Sequence, residues 1–443
     1  MRLRRGGALA ACTLLLAVAL AGCTRHESGV TIRFWAMGRE GEVVQDLVHD
    51  FERENPGVHV DVQQIPWSAA HEKLLTAHVG GSTPDLGQLG NTWIPEFTAL
   101  HALHPLDRFI DSTRTPVAAD FFAGSWDGNV VDGATLGLPW YVDTRVLFYR
   151  RDLLAAAGWS TMPATWDEWR RALTAIRDRG SRGHYGIFLP LNEWNPPMIL
   201  GLQAGSPILK DQDTRGDFSG PEFQRAFDFY IGLFKSGLAP PLSNNEIANM
   251  YQEFERGTFA MVITGPWNLG EFRRRLSPEM QDKWCTAPLP GPDGPGVSMA
   301  GGSSLVMFRR TKHPAEVWKL MQFLSRPEQQ VKFYRLTGDL PSRVEAWRDT
   351  ALTNDPCTRA FGDQLTRLAV WPKVPEWEPI AIKLQDWTER AVRGGVTTHE
   401  ALGAMDREVD QMLEKRRWLV ERRGSGAGAR ESSRSSDANG SAR

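Results

Sequence analysis

Val30-Thr31-Ile32-Arg33-Phe34-Trp35, a run over residues 41–54, the triplet Asn55-Pro56-Gly57, and Val58-His59-Val60-Asp61-Val62 together decide the fold class. The first segment alternates apolar and polar residues as a strand does. Gly38 and Gly41 then open a helix, over about 41–54, in which Val43, Val44, Leu47, Val48 and Phe51 recur at helical spacing. Asn-Pro-Gly stops that helix, and the next alternating segment reads as a second strand. Strand, helix and strand in this order imply a parallel pair joined by a right-handed crossover, so the chain is expected to be α/β.

The same alternation continues outward. A helix is expected near 68–79 and a third strand at Asp85-Leu86-Gly87-Gln88-Leu89. Leu136-Gly137-Leu138-Pro139 leads into Val146-Leu147-Phe148-Tyr149, and Asp152 begins a helix that ends at Gly158. Helical patterns follow at 166–178, 221–236, 246–256, 314–324, 327–336, 376–393 and 398–419, with strands at 185–189, 259–263 and 303–308. No internal repeat is visible. Residues 422–443 are rich in Gly, Ser, Ala and Arg without periodicity, and disorder is expected there.

At the other end, Met-Arg-Leu-Arg-Arg precedes an apolar stretch from Ala8 to Leu20, the order of a secretory signal, expected to span 1–22. That stretch is shorter than the about 20 residues a helix needs to cross a bilayer, and no comparable run occurs later. Loss of Arg2, Arg4 and Arg5 with the signal leaves 48 basic residues against 53 acidic, which argues against a nucleic-acid partner. A mature chain of this length exceeds one core, so two domains are expected. Seventeen Trp is a high number, and because a buried indole N–H needs a partner, the excess points to stacking surfaces as well as core. Besides Cys12 and Cys23, Cys285 and Cys357 could pair in an oxidising compartment.

Leu20-Ala21-Gly22-Cys23 resembles the bacterial lipobox, which implies lipidation of Cys23 and a short tether over 23–29. Several further stretches resemble, in order, the extracellular solute-binding proteins that deliver sugars to ABC importers, the maltose-binding-like group. They are Phe34-Trp35-Ala36 with Gly38; Phe51 to Val58 around Asn55-Pro56-Gly57; Thr83-Pro84-Asp85-Leu86; and the segment from Leu138 through Asp152-Leu153. Pro163-Ala164-Thr165-Trp166-Asp167-Glu168-Trp169, Phe254-Glu255-Arg256-Gly257-Thr258-Phe259-Ala260-Met261, Gly265-Pro266-Trp267 and Ala300-Gly301-Gly302-Ser303 continue the series. The resemblance implies a periplasmic-binding-protein fold of type II, two α/β lobes joined by a hinge with the ligand between them. Lobe 1 is then expected over 30–143 plus 300–343 and lobe 2 over 144–299 plus 344–421, with crossings near Asp143–Val146, Ser298–Ala300 and Arg343–Val344. It also implies permease subunits as partners, a monomer anchored in the cell envelope, and no cofactor.

A sugar ring offers an apolar C–H face and a rim of hydroxyls, so its site needs flat aromatics and polar groups that donate and accept. Trp267, after Gly265-Pro266 at a strand end, is placed where open α/β sheets bind ligands. Trp194 sits in a polar loop. Trp35 and Glu40 flank the first strand-to-helix turn, and Asn91 and Trp93 follow the third strand. Asp143 lies at a crossing, where its carboxylate would accept from two hydroxyls or pair with Arg145. Gly301, Gly302 and Ser303 would offer backbone N–H groups. Arg343, at a position where the resembling family often has a polar contact, and Trp371 complete the candidates.

Other motifs carry less. Asp211 to Glu222 has an EF-hand skeleton, but Arg215 spoils its fifth position, and Ser219 with Glu222 reads as a capping box instead. His71-Glu72 lacks the second His of a zinc-protease helix, and no metal site is expected. Two rival functions stay open: a glycerophosphodiester or polyol-phosphate receptor on the same fold, and a lipid-anchored polysaccharide-cleaving enzyme, which needs two acids facing each other across a cleft.

Overall fold

The structure is a computed structural model and describes residues 29–422. The signal segment, Cys23 and the chain beyond Arg422 lie outside them. Strand β1 (Val30–Met37) is followed by helix α1 (Gly38–Val43), α2 (Gln45–Glu54) and β2 (Val58–Ile65), which pairs in parallel with β1 from Val30↔Val58 to Met37↔Ile65. The expected helix over 41–54 thus starts three residues earlier and breaks at Val44. A Cβ on Gly41 would lie 2.7 Å from the Ala36 carbonyl oxygen, so Gly41 lets the helix turn back close against the strand that feeds it.

Helix α3 (Trp67–Val79) leads to β3 (Leu86–Gly90), parallel to β1, and β4 (Leu138–Asp143) follows. Three residues later the chain enters β5 (Val146–Arg150). It then supplies α4 (Trp166–Arg179), β6 (Tyr185–Phe188), α5 (Pro221–Lys235), β7 (Phe259–Thr264), α6 (Trp267–Arg275) and β8 (Trp284–Ala287). It returns through β9 (Gly301–Met307), α7 (Pro314–Leu324), α8 (Pro327–Thr337) and β10 (Leu340–Pro341), and ends in α9 (Pro356–Leu365), α10 (Trp377–Val392) and α11 (Thr398–Met412). Two main sheets result. One has the order β10-β4-β9-β3-β1-β2, the other β8-β5-β7-β6. Late strand β9 is antiparallel to both β3 and β4 and fills the space between them.

Each sheet has its own apolar cover. Ile32, Phe34, Leu47, Phe51, Trp140, Phe323 and Phe333 pack on the six-stranded sheet, with Trp140 stacked on Phe333 at 4.5 Å. Leu147, Trp169, Ile187, Phe227, Met261 and Trp377 form the main core of the other. Trp140, Trp169 and Trp377 are fully buried, which accounts for part of the high Trp content as core. Cys285 of β8 is disulfide-bonded to Cys357 of α9, tying the edge strand of the second sheet to the helix above it.

Several local expectations change. The helix expected over 246–256 starts at Met250, because the Asn249 side chain caps the N–H groups of Tyr251 and Gln252 and Ser243 with Glu246 closes a separate turn. The pattern at 398–419 is interrupted at Leu413. No Ser219–Glu222 capping box forms: Gly220 is the cap, Pro221 opens α5, and Ser219 donates instead to the Asp406 carboxylate. In the same loop Lys210 pairs with Asp217 at 2.9 Å and Arg215 with Asp410 at 3.0 Å, so cations engage the EF-hand-like acids and their neighbours. Among the described residues no group of His, Cys, Asp or Glu is arranged to hold a metal ion, and no helix is long and apolar enough to cross a membrane.

Candidate functional site

Strand ends from both sheets converge on a cavity of about 450 Å³. From the six-stranded sheet it receives Glu40 after β1, Trp67 after β2, Asn91 and Trp93 after β3, Tyr141 and Asp143 of β4, Gly301 and Gly302 of β9, and Asp339 before β10. The opposite wall holds Trp194, Trp267, which follows β7, and Trp371. Arg145 and Met299 sit where the chain passes between the sheets. Nine of the expected residues therefore share one cavity: Glu40, Asn91, Trp93, Asp143, Trp194, Trp267, Gly301, Gly302 and Trp371.

Three expected residues lie elsewhere. Trp35 is two residues short of the end of β1 and on the face opposite buried Phe34 and Ala36, where Lys73 of α3 lies 4.8 Å over its ring. Ser303 is buried within the sheet and donates to the Leu89 carbonyl oxygen at 2.8 Å. Arg343 points away, toward the Ser325 carbonyl oxygen at 3.3 Å and Asp120 at 3.4 Å, with Phe121 under its guanidinium. It fastens the end of β10 to the residue after α7 and to the Asp120 turn.

The cavity is rich in hydrogen-bond acceptors. Glu40, 7% exposed, accepts from the Tyr141 hydroxyl at 2.8 Å and from Trp67 Nε1 at 3.4 Å. Burial, reinforced by the Glu40 charge, pushes the Tyr141 phenol well above its ordinary range, so it remains a donor. Asp339 is also held well above the usual carboxylate range, by desolvation first and then by the nearby charge of Glu40, against a hydrogen bond from Thr337. Asp143 pairs with Arg145, the alternative that its position at the crossing had offered. Asn91 donates to the Ala300 carbonyl oxygen at 2.7 Å, joining the β3 loop to the segment that returns from the second sheet.

The aromatic wall is braced from behind. Trp67 and Trp93 meet edge to face at 5.7 Å, and His71 lies 5.0 Å from Trp93 and 6.2 Å from Phe97. Glu96 lies 2.6 Å from His71 Nε2 and raises its pKa above the usual imidazole value. The His71-Glu72 stretch thus buttresses an indole. Lys373, two residues after Trp371, donates to Asp127 Oδ1 at 3.1 Å and the Val130 carbonyl oxygen at 3.0 Å, in the segment that precedes β4.

Arg39, Trp67, Thr92, Tyr141, Arg145, Asn195, Met299, Thr337 and Asp339 also line the cavity and were not among the expected residues. The strand-end rule that selected Asn91 and Trp93 applies equally to Trp67, which follows Ile65-Pro66 at the end of β2. No comparable signal marks Thr337, the last residue of α8, or Asp339, in the short link between that helix and a two-residue strand.

Residues 37–331 match the bacterial extracellular solute-binding protein family. The chain is similar to a solved structure, the sugar-binding protein MalE from the phytopathogen Xanthomonas citri, with 47% identity, a TM-score of 0.86, and 88% of this chain and 99% of that one covered. A solute-binding protein of an ABC transporter from Thermotoga lettingae, solved with α-D-tagatose bound, is 25% identical with a TM-score of 0.72, over 87% of this chain and 100% of that one. An uncharacterized lipoprotein of Streptomyces antibioticus is 26% identical over 85% of this chain and 86% of its own length. The MalE-like neighbours have the type II periplasmic-binding-protein fold, which the two sheets and the cavity at their strand ends reproduce. The chain belongs to the bacterial extracellular solute-binding protein family.

Proposed function

We propose that this chain is the solute receptor of a carbohydrate ABC importer, that it binds a sugar between its lobes without transforming it, and that lipid on Cys23 holds it in the cell envelope as a monomer beside the permease. One observation carries the sugar reading: five indoles, Trp67, Trp93, Trp194, Trp267 and Trp371, surround a single cavity that also holds three carboxyl groups, Glu40, Asp143 and Asp339. Indole faces suit the C–H face of a pyranose, and Glu40, Asp143 and Asp339 suit hydroxyl donors. The sugar-binding and lipoprotein descriptions of the relatives support the same reading. Ligand contacts are assigned to Glu40, Asn91, Trp93, Asp143, Trp194, Trp267, Gly301, Gly302 and Trp371.

The lobes proposed are 30–143 plus 300–343 and 144–299 plus 344–421. The six-stranded sheet draws its strands from 30–143 and 300–343 and the four-stranded sheet from 144–299, while Trp377, Leu384 and Met405 of the last segment pack in the core of the four-stranded sheet, which supports these boundaries. Charge disfavours a phosphorylated solute. The two guanidinium groups on the cavity are both engaged, Arg145 with Asp143 and Arg39 with Glu42 at 2.8 Å, while three carboxyls face the same space. The wall opposite those carboxyls offers Trp194, Asn195, Trp267 and Trp371 and no acid, which disfavours a glycosidase pair.

Thermal shift of the purified chain against maltose, trehalose, maltotriose, D-tagatose and glycerophosphocholine tests the proposal. At least one sugar is expected to raise the melting temperature and to be recovered unhydrolysed. A response to glycerophosphocholine alone, or hydrolysis of a bound sugar, would refute it.

A further inference from the structure

Trp267 offers a solute only one face of its indole. Behind it lies Gly265, where an added Cβ would sit 2.0 Å from Cζ3, 2.3 Å from Cη2 and 2.6 Å from Cε3. The two ring neighbours are barely more distant than Cζ3 itself, so this position is over the plane of the ring and not off its edge. Gly265 therefore backs one face, and no residue with a side chain could do so without moving the ring. The cavity-lining Arg145 is placed with its guanidinium carbon 4.6 Å from the ring centroid. Arg145 is no loose surface side chain: its backbone N–H donates to Ser298 Oγ at 3.1 Å, Ser298 Oγ donates to its carbonyl oxygen at 2.8 Å, and its guanidinium pairs with Asp143.

The geometry points to Arg145 as a built-in competitor for the solute, one side chain that covers the stacking face of Trp267 and occupies the Asp143 carboxylate together. This deepens the proposed function and rests on it. A flat guanidinium imitates what a sugar ring brings to the same two groups: a planar apolar surface for the indole and N–H donors, in place of hydroxyls, for the carboxylate. A solute gains the site only if it replaces both contacts in one pose. That requirement sets specificity, because a ring with a C–H face but no hydroxyl toward Asp143 leaves a half-buried carboxylate without its partner. Trp267 is 41% exposed while the Arg145 side chain is 14% exposed, so the contact displaced lies between a solvated and a desolvated one.

Titration calorimetry on the full-length chain, using whichever of maltose, trehalose, maltotriose or D-tagatose binds the wild type, decides between a competitor and a contact. Arg145→Ala is expected to bind that sugar about two- to thirty-fold more tightly, the range from a solvated to a desolvated cation–ring contact. Arg145→Lys, which keeps the charge but not the flat surface, is expected to fall between the two and carries the test if the Ala variant does not fold. In a Trp267→Ala background the gain from Arg145→Ala is expected to shrink toward nothing, which a general change of charge would not produce. Weaker or unchanged binding by Arg145→Ala, with wild-type binding intact, would overturn the competitor role and leave the sugar reading standing. A wild-type chain that binds none of these sugars would remove both.

Discussion

Replacing Gly302 with alanine tests the link between backbone geometry and the cavity. Gly302 has φ of +125°, in the region that L residues rarely adopt, and faces Val142 of β4 one pair beyond Gly301↔Asp143. An added Cβ would lie 2.4 Å from the Tyr141 carbonyl oxygen, 3.0 Å from the Val142 Cα and 3.1 Å from the Asp143 nitrogen. All three are backbone atoms of one paired strand, so no side-chain rotation relieves the overlap. The strained φ costs about 1–3 kcal/mol and the overlap about as much again, giving roughly 4 kcal/mol in all. Gly133 is the control: its φ is +78°, nothing lies within 4 Å of its Cβ position, and it follows Asp132 in the turn between Val130–Val131 and Ala134–Thr135. Gly133→Ala should cost only the backbone share, about 1–2 kcal/mol. Urea unfolding followed by circular dichroism measures both, and sugar affinity should fall in Gly302→Ala alone because β4 carries Tyr141 and Asp143. Stabilities within about 1 kcal/mol of each other would refute the close-approach argument.

Replacing Cys285 and Cys357 by alanine opens a loop closed over 72 residues, for which chain entropy gives up to about 4 kcal/mol; the loss should appear in urea unfolding while sugar affinity stays, since neither residue lines the cavity. Asp339→Asn should raise the melting temperature at neutral pH. A carboxyl whose folded pKa lies above its unfolded value loses stability as pH rises from that unfolded value through the folded one, and the gap between variant and wild type should close toward pH 4. Lys373→Met removes donations to Asp127 and Val130, which cross between the lobes proposed above; a larger radius of gyration by small-angle scattering and about two- to five-fold weaker sugar binding are expected.

The first βαβ unit was legible because its apolar residues keep the two periods without interruption, and the order Val30–Trp35, helix, Val58–Val62 admits few topologies. Boundaries slipped where a side chain or a glycine overrode periodicity, as Asn249 does at the start of one helix and Gly41 at the turn into another. Cavity residues at strand ends were readable from position alone, which is why Asn91, Trp93 and Trp267 were expected to lie together and why Trp67 could have been added. Arg343 misled because a guanidinium is long, and sequence does not reveal that Asp120 and the Ser325 carbonyl lie within its reach on the other side. Ser303 misled because its hydroxyl is spent inside the sheet. Asp339 was invisible for a different reason: its neighbours Glu40 and Tyr141 are about 300 and 200 residues away in sequence, and only the finished sheet brings them together.

The place of β9 between β3 and β4 has a consequence for how the molecule comes into being. A chain delivered from its N-terminus presents β1 to β4 early, but the strand that zips β3 to β4 arrives only after every strand of the other sheet has passed. Until then the first half of the protein has open edges and cannot reach its final form. Strand order therefore works as a delay: the six-stranded sheet of an emerging polypeptide stays open until about seven tenths of the chain has appeared, and one short segment, Gly301–Met307, then joins its two parts.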